Sequence, residues 1–322
     1  MFYRAYGLTL ASAMPLPELA SPPAPGARAA TAAPDIAIDL ATGPVDEAAW
    51  TTLPSSDDDS PWLSVSRRLG AHRLRFEDGG TFVVWDGGRR ITVQLGETDL
   101  TDTLRHLLID QVIPLALSHL GQIVLHAGAV VEKDAAGNAA VAFIGPAGAG
   151  KSTLTASLAS TGCALLADDA LVVAVAGSEL LATPAYPGVR LWPDVAPSVG
   201  GSGRHDIDGL PRVAEYTEKR RIGIAGGWRF IEGRVPLRRV YVLEASEDDR
   251  VSVGRVGPRD AIVALLSHTY VLDVSDRARL AAQFARICAA SPTAEVRRLS
   301  YPRALDRLPD VHAAIREDLR QP

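Results

Sequence analysis

One eight-residue run limits what this chain can fold into more than any other feature: Gly145-Pro146-Ala147-Gly148-Ala149-Gly150-Lys151-Ser152, followed by Thr153. It matches G-x-x-x-x-G-K-[ST] in full. The apolar run 140–144 before it reads as a buried strand, and 153–159 after it as a helix. Strand, glycine loop and helix form the context in which such a run works. Glycines let backbone N–H groups turn inward around phosphate oxygens, the helix N-terminus adds partial positive charge, and the lysine reaches the β- and γ-phosphates. Ser152 offers its hydroxyl to Mg²⁺. Gly145, Pro146, Ala147, Gly148, Ala149, Gly150, Lys151, Ser152 and Thr153 are therefore the candidate nucleotide contacts, with ATP and Mg²⁺ as candidate cofactors.

The lysine is conspicuous because the chain nearly lacks lysine. Of 33 basic residues only Lys133, Lys151 and Lys219 are Lys. Arg replaces Lys wherever a bare positive charge suffices, so each surviving ammonium asks what a guanidinium could not do. Lys151 has an answer in the phosphate cradle. Lys133, in the expected turn 133–138, has none.

Seventeen residues after Lys151, the apolar stretch Cys163-Ala164-Leu165-Leu166-Ala167 ends in Asp168-Asp169. Carboxylates at the C-terminal end of a strand are what a Mg²⁺ site beside a phosphate loop needs. Two adjacent acids on a strand end cannot point the same way, so one is expected at the metal and the other at the acceptor. The plainer alternative is a polar turn between two strands.

The block 125–173, reading HAGAVV, then GPAGAGKST, then LASTGCALLADDALVV, resembles the catalytic core of the HPr serine kinase/phosphorylase family, which is related to ATP-dependent phosphoenolpyruvate carboxykinases. The resemblance implies an α/β fold class, with a PEP-carboxykinase/HPr-kinase-like P-loop core and a β-rich N-terminal module. It implies that Lys151 and Ser152 bind phosphates and Mg²⁺. Asp169 is then the base that takes the proton from an acceptor serine, Asp168 supports the metal or the base, and His126 matches the family's active-site histidine. On its own, a histidine at the end of a buried strand is more often a satisfied core residue. The family's E-x-R-G-x-G segment has no copy here. The nearest piece, Tyr186-Pro187-Gly188-Val189-Arg190-Leu191-Trp192-Pro193-Asp194, lacks the Glu. The opening YGLTLASAMPLPEL and Tyr216-Thr217-Glu218-Lys219-Arg220-Arg221-Ile222 are more similar to HPr-kinase-like proteins of lasso-peptide biosynthesis, which phosphorylate a serine of a precursor peptide.

Composition bounds the rest. At 322 residues, 47% hydrophobic and 22% charged, the chain has material for real cores. A net charge of −5 argues against nucleic acid as partner. No run approaches the ~18 apolar residues of a membrane helix, so no membrane partner is expected. Cys163 and Cys288 show neither metal spacing nor a C-x-x-C pair, and Pro15 and Pro17 interrupt the mildly apolar stretch 6–14, so a reducing, cytoplasmic setting is expected.

Short strands are expected over 2–10, 36–40, 62–66, 72–76, 82–85 and 91–95, in a module spanning 1–100. A P-loop kinase domain is expected over 101–322. Its first helix carries Leu104, Leu107, Leu108, Val112, Leu115 and Leu120 at helical spacing, with Pro114 expected to bend or break it. Asp57-Asp58-Asp59 reads as a solvated loop, and 196–234 as loops over a site.

Lys219-Arg220-Arg221 is a compact cation cluster, either a clamp on a phosphate or peptide carboxylate or a solvated turn balanced by Glu215 and Glu218. Trp192 and Trp228 are candidates for a peptide groove or for local packing, and Tyr301-Pro302-Arg303 for a substrate-facing element. Together these features point to a serine kinase. Its partner is a precursor peptide or small protein carrying the acceptor serine, and a homo-oligomer is compatible with the sequence. HPr-type phosphorylation, a free-serine kinase and an ATP-gated binding protein are the alternatives.

Overall fold

The computed structural model describes residues 1–19, 33–43, 49–54, 62–77, 79–95, 101–134, 137–199, 210, 212–223, 227–246, 248–291 and 294–321. Asp57-Asp58-Asp59 lies outside them, as do 200–209, 211 and 224–226 of the expected loop segment 196–234, whose described part carries a short helix over Ala196–Val199 and short strands over Arg220–Gly223 and Arg229–Phe230. The chain is a mixed α/β protein with two large sheets and few helices, divided into two compact units. The first comprises Met1–Gln122, Arg212–Glu218 and Tyr270–Gln283, and the second Ile123–Pro211, Lys219–Thr269 and Phe284–Pro322.

In the first unit eight strands run β1 (Phe2–Ala5), β2 (Leu8–Ser12), β3 (Ile36–Thr42), β4 (Thr51–Thr52), β5 (Leu63–Arg68), β6 (Ala71–Phe76), β7 (Thr81–Trp85) and β8 (Arg90–Leu95). Their order in the sheet is β1-β2-β3-β8-β7-β6-β5-β4. Burial alternates along β1, β3 and β8, with Ile36, Ile38, Ile91 and Val93 inside, whereas β6 and β7 are covered on both faces, His72 and Arg73 being buried beside Leu74, and Val83 between Phe82 and Val84. The expected single strand over 2–10 is two. Tyr6 and Gly7 both take positive φ and close a two-residue turn pairing Ala5 with Leu8, the geometry that matches hairpin twist. Tyr6 tolerates it because its ring is buried and its hydroxyl donates to the Ile109 carbonyl at 3.2 Å.

The expected boundary at residue 100 is displaced. Helices α1 (Asp102–Leu107) and α2 (Ile113–His119), joined by a π-turn over Leu108–Val112, belong to the first unit. They pack closely on its sheet. A Cβ on Gly80 would lie 2.7 Å from Leu107, and one on Gly88 2.5 Å from the Ala116 carbonyl. Pro114 does not break the helix, because it sits in the first turn of α2, where its missing N–H costs nothing. The widened turn before it absorbs the misfit.

The second unit holds a ten-stranded mixed sheet. Its strands are β9 (Ile123–Leu125), β10 (Ala127–Asp134), β11 (Gly137–Ile144), β12 (Ala164–Ala167), β13 (Leu171–Ala176), β14 (Glu179–Thr183), β17 (Arg229–Phe230), β18 (Val235–Ala245), β19 (Ser252–Arg255) and β20 (Glu295–Tyr301). A separate hairpin pairs β15 (Gly188–Leu191) with β16 (Arg220–Gly223). Asp134 pairs with Gly137 across the expected turn, whose tip at 135–136 lies outside the described residues.

β10 lies between β11 and β12 and is antiparallel to both. The C-terminal ends of β11 and β12 and the N-terminal end of β10 therefore meet at one edge of the sheet. Helix α3 (Lys151–Ser160) buries Leu154, Ala156 and Leu158 in the same core as Val130, Phe143, Leu165 and Tyr241, each large apolar side chain contributing roughly 1.5–3 kcal/mol. Helices α4 (Ala196–Val199), α5 (Pro258–Ser267), α6 (Arg277–Ala290) and α7 (Leu308–Leu319) complete the element list. Among the described residues no helix is long and apolar enough to cross a membrane.

Candidate active site

The strand geometry gathers three segments at that sheet edge. β11 runs into the loop 145–150, β12 runs into Asp168-Asp169, and His126 is the single residue between β9 and β10. Gly148 and Gly150 take φ of +75° and +92°, which glycine adopts without cost and which turn the loop back toward α3. Lys151 opens α3 and is buried. Its Nζ donates to the carbonyls of Gly145 at 2.8 Å and Pro146 at 3.1 Å, so the ammonium lies folded inside its own loop.

The two acids diverge, as adjacent positions at a strand end must. Asp168 is 2% exposed, and Asp169 adopts φ +79°, a left-handed conformation unusual for a residue other than glycine. The backbone N–H of Ala127 holds the Asp169 carbonyl at 3.2 Å. Arg190, on β15, touches both carboxylates. Its backbone N–H donates to Asp168 Oδ2 at 2.9 Å, its Nε lies 3.6 Å from that oxygen, and its Nη2 lies 2.8 Å from Asp169 Oδ2. Asp169 Oδ1 faces His126 Nε2 at 3.7 Å.

A cavity of about 220 Å³ opens between these parts. The loop and first turn of α3, residues 147–153, form one wall; Asp169, His126, Arg190, Trp192 and Lys219 form the other. His126 is not a core residue, because its ring is partly exposed on this cavity. Burial pushes its pKa below the usual histidine value, and Lys151 and Arg190 act in the same direction against Asp169. Burial also lowers Lys151, opposed by Asp169 and Asp168. Asp168 is pushed up by burial and by Asp169, with Arg190 and the Ser152 hydroxyl pulling the other way.

Asp168 Oδ1 is buried and makes no hydrogen bond. Such an atom calls for a partner the protein itself does not provide. Among the described residues no three His, Cys, Asp or Glu side chains are grouped to hold a metal by themselves. Mg²⁺, however, is usually held by one or two protein groups, with phosphates and waters completing its shell. The Asp168 carboxylate and the Ser152 hydroxyl that acts on it are a hard-oxygen donor set of that kind, and they fit the ion.

The cation cluster separates. Lys219 lines the cavity, its Nζ 5.5 Å from the centre of the Trp192 ring. Arg220 instead donates to the Leu210 carbonyl at 2.9 Å, and Arg221 stacks over Tyr186 at 5.7 Å, so neither joins the cavity wall. Of the tryptophans, Trp192 stands 47% exposed on the cavity, while Trp228 is buried with its Nε1 donating to Ser160 Oγ at 3.2 Å. Tyr301 and Arg303 approach the glycine loop, the hydroxyl 3.4 Å from the Ala149 carbonyl and Nη1 3.2 Å from that of Gly148.

Two residues at the site carry no role in the sequence reading, although Arg190 falls in the segment nearest to E-x-R-G-x-G. Arg190 stands in a short buried strand of otherwise apolar residues, and a lone arginine in such a run is the available signal for a buried acidic partner. His268 follows α5, its carbonyl accepting the His126 N–H at 2.6 Å. Its pKa is lowered by burial, with Lys151 and His126 adding to the shift. No local pattern marks it.

No family model and no curated protein sequence matches the chain. Among solved structures it is similar to the Hpr(Ser) kinase/phosphatase from Coxiella burnetii, at 11% identity and a TM-score of 0.33, over 61% of this chain and 95% of that one.

Proposed function

We propose that the protein is an ATP-dependent phosphotransferase that moves the γ-phosphoryl group of ATP to a serine hydroxyl. The observation that carries this reading is the meeting, around one cavity, of a glycine loop with its lysine and a strand-end acid pair whose buried member keeps an oxygen without a hydrogen bond. In such a reaction the protein's work is positioning and charge neutralisation.

Backbone N–H groups of 147–153 and the Lys151 ammonium bind the phosphates, the lysine exchanging the Gly145 and Pro146 carbonyls for phosphate oxygens. Ser152 and Asp168 hold Mg²⁺, which when bound neutralises developing charge on the phosphates. Asp169 orients the acceptor hydroxyl and takes its proton as the new O–P bond forms and the bond to ADP breaks. His126 lines the acceptor side of Asp169. Lys219, over Trp192, meets a phosphate oxygen or an acceptor carboxylate.

For the acceptor we propose the C-terminal serine of a lasso-type precursor peptide, on the sequence resemblance of 6–19 and 216–222, with the reaction taking place in the cytoplasm. The test is incubation with γ-labelled ATP, Mg²⁺ and a panel of HPr, free serine and a serine-terminated precursor peptide. Label on the peptide supports the full reading. Label on HPr or free serine moves the acceptor class, and steady ATP turnover with no labelled acceptor overturns the kinase reading in favour of an ATP-gated binding protein.

A further inference from the structure

Arg190 is the residue whose placement the phosphotransferase reading leaves unexplained. It is 7% exposed, and its backbone is fixed by pairing with Arg221 in the β15–β16 hairpin. From that fixed point it takes the same oxygen, Oδ2, of each acid: Asp168 through its backbone N–H, with Nε behind, and Asp169 through Nη2. On Asp168 the other oxygen, Oδ1, is buried without a hydrogen bond; on Asp169 Oδ1 faces His126 at the cavity. A salt bridge serving stability alone is expected to satisfy the remaining lone pairs of so buried a carboxylate. The turn that separates the acids is also strained, since Asp169 stands at φ +79°, and such strain persists where surrounding contacts over-determine it.

We propose that Arg190 is the positioning residue that divides the labour of the acid pair, locking one oxygen of each so that Asp168 presents the other to the cation and Asp169 presents the other to the acceptor hydroxyl. The proposal rests on the phosphotransferase reading. The hydrogen bond to Asp168 comes from the backbone N–H, and the guanidinium adds charge spread between the two acids, with Nε 3.6 Å from Asp168 Oδ2 and Nη2 2.8 Å from Asp169 Oδ2, a span that one ammonium nitrogen does not cover.

The test uses the full chain as wild type, Arg190→Lys, Arg190→Gln and Arg190→Ala. Mn²⁺ binding in the presence of ADP is read by electron paramagnetic resonance, alongside transfer kinetics and thermal unfolding. Removing a residue that orients a metal ligand typically costs about 10–100-fold in metal affinity or activity. Arg190→Lys is therefore expected to weaken Mn²⁺ by at least about 10-fold and to lower kcat by a similar factor or more, with KM for ATP within about threefold. Added guanidinium ion is expected to restore part of both in Arg190→Ala. If Arg190→Lys and Arg190→Gln keep wild-type Mn²⁺ affinity and kcat, the proposal is overturned. It is also overturned if all three variants only lose thermal stability, with no metal defect and no guanidinium rescue. Failure of the phosphotransferase reading looks different: the wild type binds Mn²⁺ with ADP yet labels no acceptor.

Discussion

Lys151 Nζ lies 2.8 Å from the carbonyl oxygen of Gly145, inside the loop that precedes it in sequence. The ammonium thus waits on backbone acceptors that phosphate oxygens can replace. Arg at this position brings a bulkier, flat donor array to a buried pocket shaped for a point charge. Lys151→Ala and Lys151→Arg are both expected to weaken ADP binding by about 10- to 150-fold, the worth of a hydrogen bond to a charged group. Titration calorimetry with ADP and Mg²⁺ checks this; unchanged affinity in either variant would remove Lys151 from the phosphate site.

Gly128, on β10, lies in close contact with α3. A Cβ there would lie 2.2 Å from Thr155 Oγ1 and 3.2 Å from the Lys151 carbonyl. Gly128→Ala is expected to cost about 1–3 kcal/mol by overpacking and to push α3 away from the acid pair, weakening nucleotide binding with it. Thr155 Oγ1 is buried without a hydrogen bond, so Thr155→Ala alone is expected to be close to neutral. The double variant then recovers part of the loss, and urea unfolding of all four forms measures the coupling.

Gly150 combines φ +92° with a would-be Cβ contact of 2.9 Å to the Tyr301 hydroxyl. Gly150→Ala is therefore expected to lose about 1–2 kcal/mol from backbone conformation and more from the clash. Adding Tyr301→Phe relieves the clash but not the backbone term. Thermal melts that show full recovery in the double variant would contradict the conformational account.

What the sequence discloses follows from how local each feature is. The glycine loop is legible because its residues are consecutive, and the strand before it and helix after it carry their own periodicity. The acid pair was legible because it ends an apolar run. Arg190 falls in the segment nearest to E-x-R-G-x-G, but its pairing with the acids is not legible, since they lie 21 and 22 residues earlier and only the fold of β15 brings them together. The same holds for the cation cluster. Chemistry alone groups Lys219, Arg220 and Arg221, yet the backbone sends the first to the cavity, the second to a carbonyl and the third to Tyr186. The split of the first strand at Tyr6 was hidden because tyrosine seldom takes positive φ.

In the first unit, His119 is buried against His72 and Arg279, with Asp273 and Asp276 opposing, and its pKa is held down at about 4. An unfolded chain binds a proton there at about pH 6.5. Between those values the unfolded state carries more protons than the folded one, so stability is complete above pH 6.5 and is lost as pH falls toward 4. After allowance for solvent screening the loss from this residue is on the order of 2 kcal/mol. Urea midpoints measured from pH 7 to 4 are expected to fall less steeply in His119→Gln, and identical slopes would contradict the assignment.

In the proposed reaction Asp169 takes the proton of an acceptor hydroxyl as phosphate arrives from ATP held on the glycine loop. The most direct test is mass analysis of a serine-terminated precursor peptide after incubation with Mg²⁺-ATP and either wild type or Asp169→Asn, with ADP affinity measured in parallel. The expected result is one phosphoryl group on the serine with wild type and a rate at least about 100-fold lower with Asp169→Asn at equal ADP affinity. Transfer at the wild-type rate by Asp169→Asn would contradict the account.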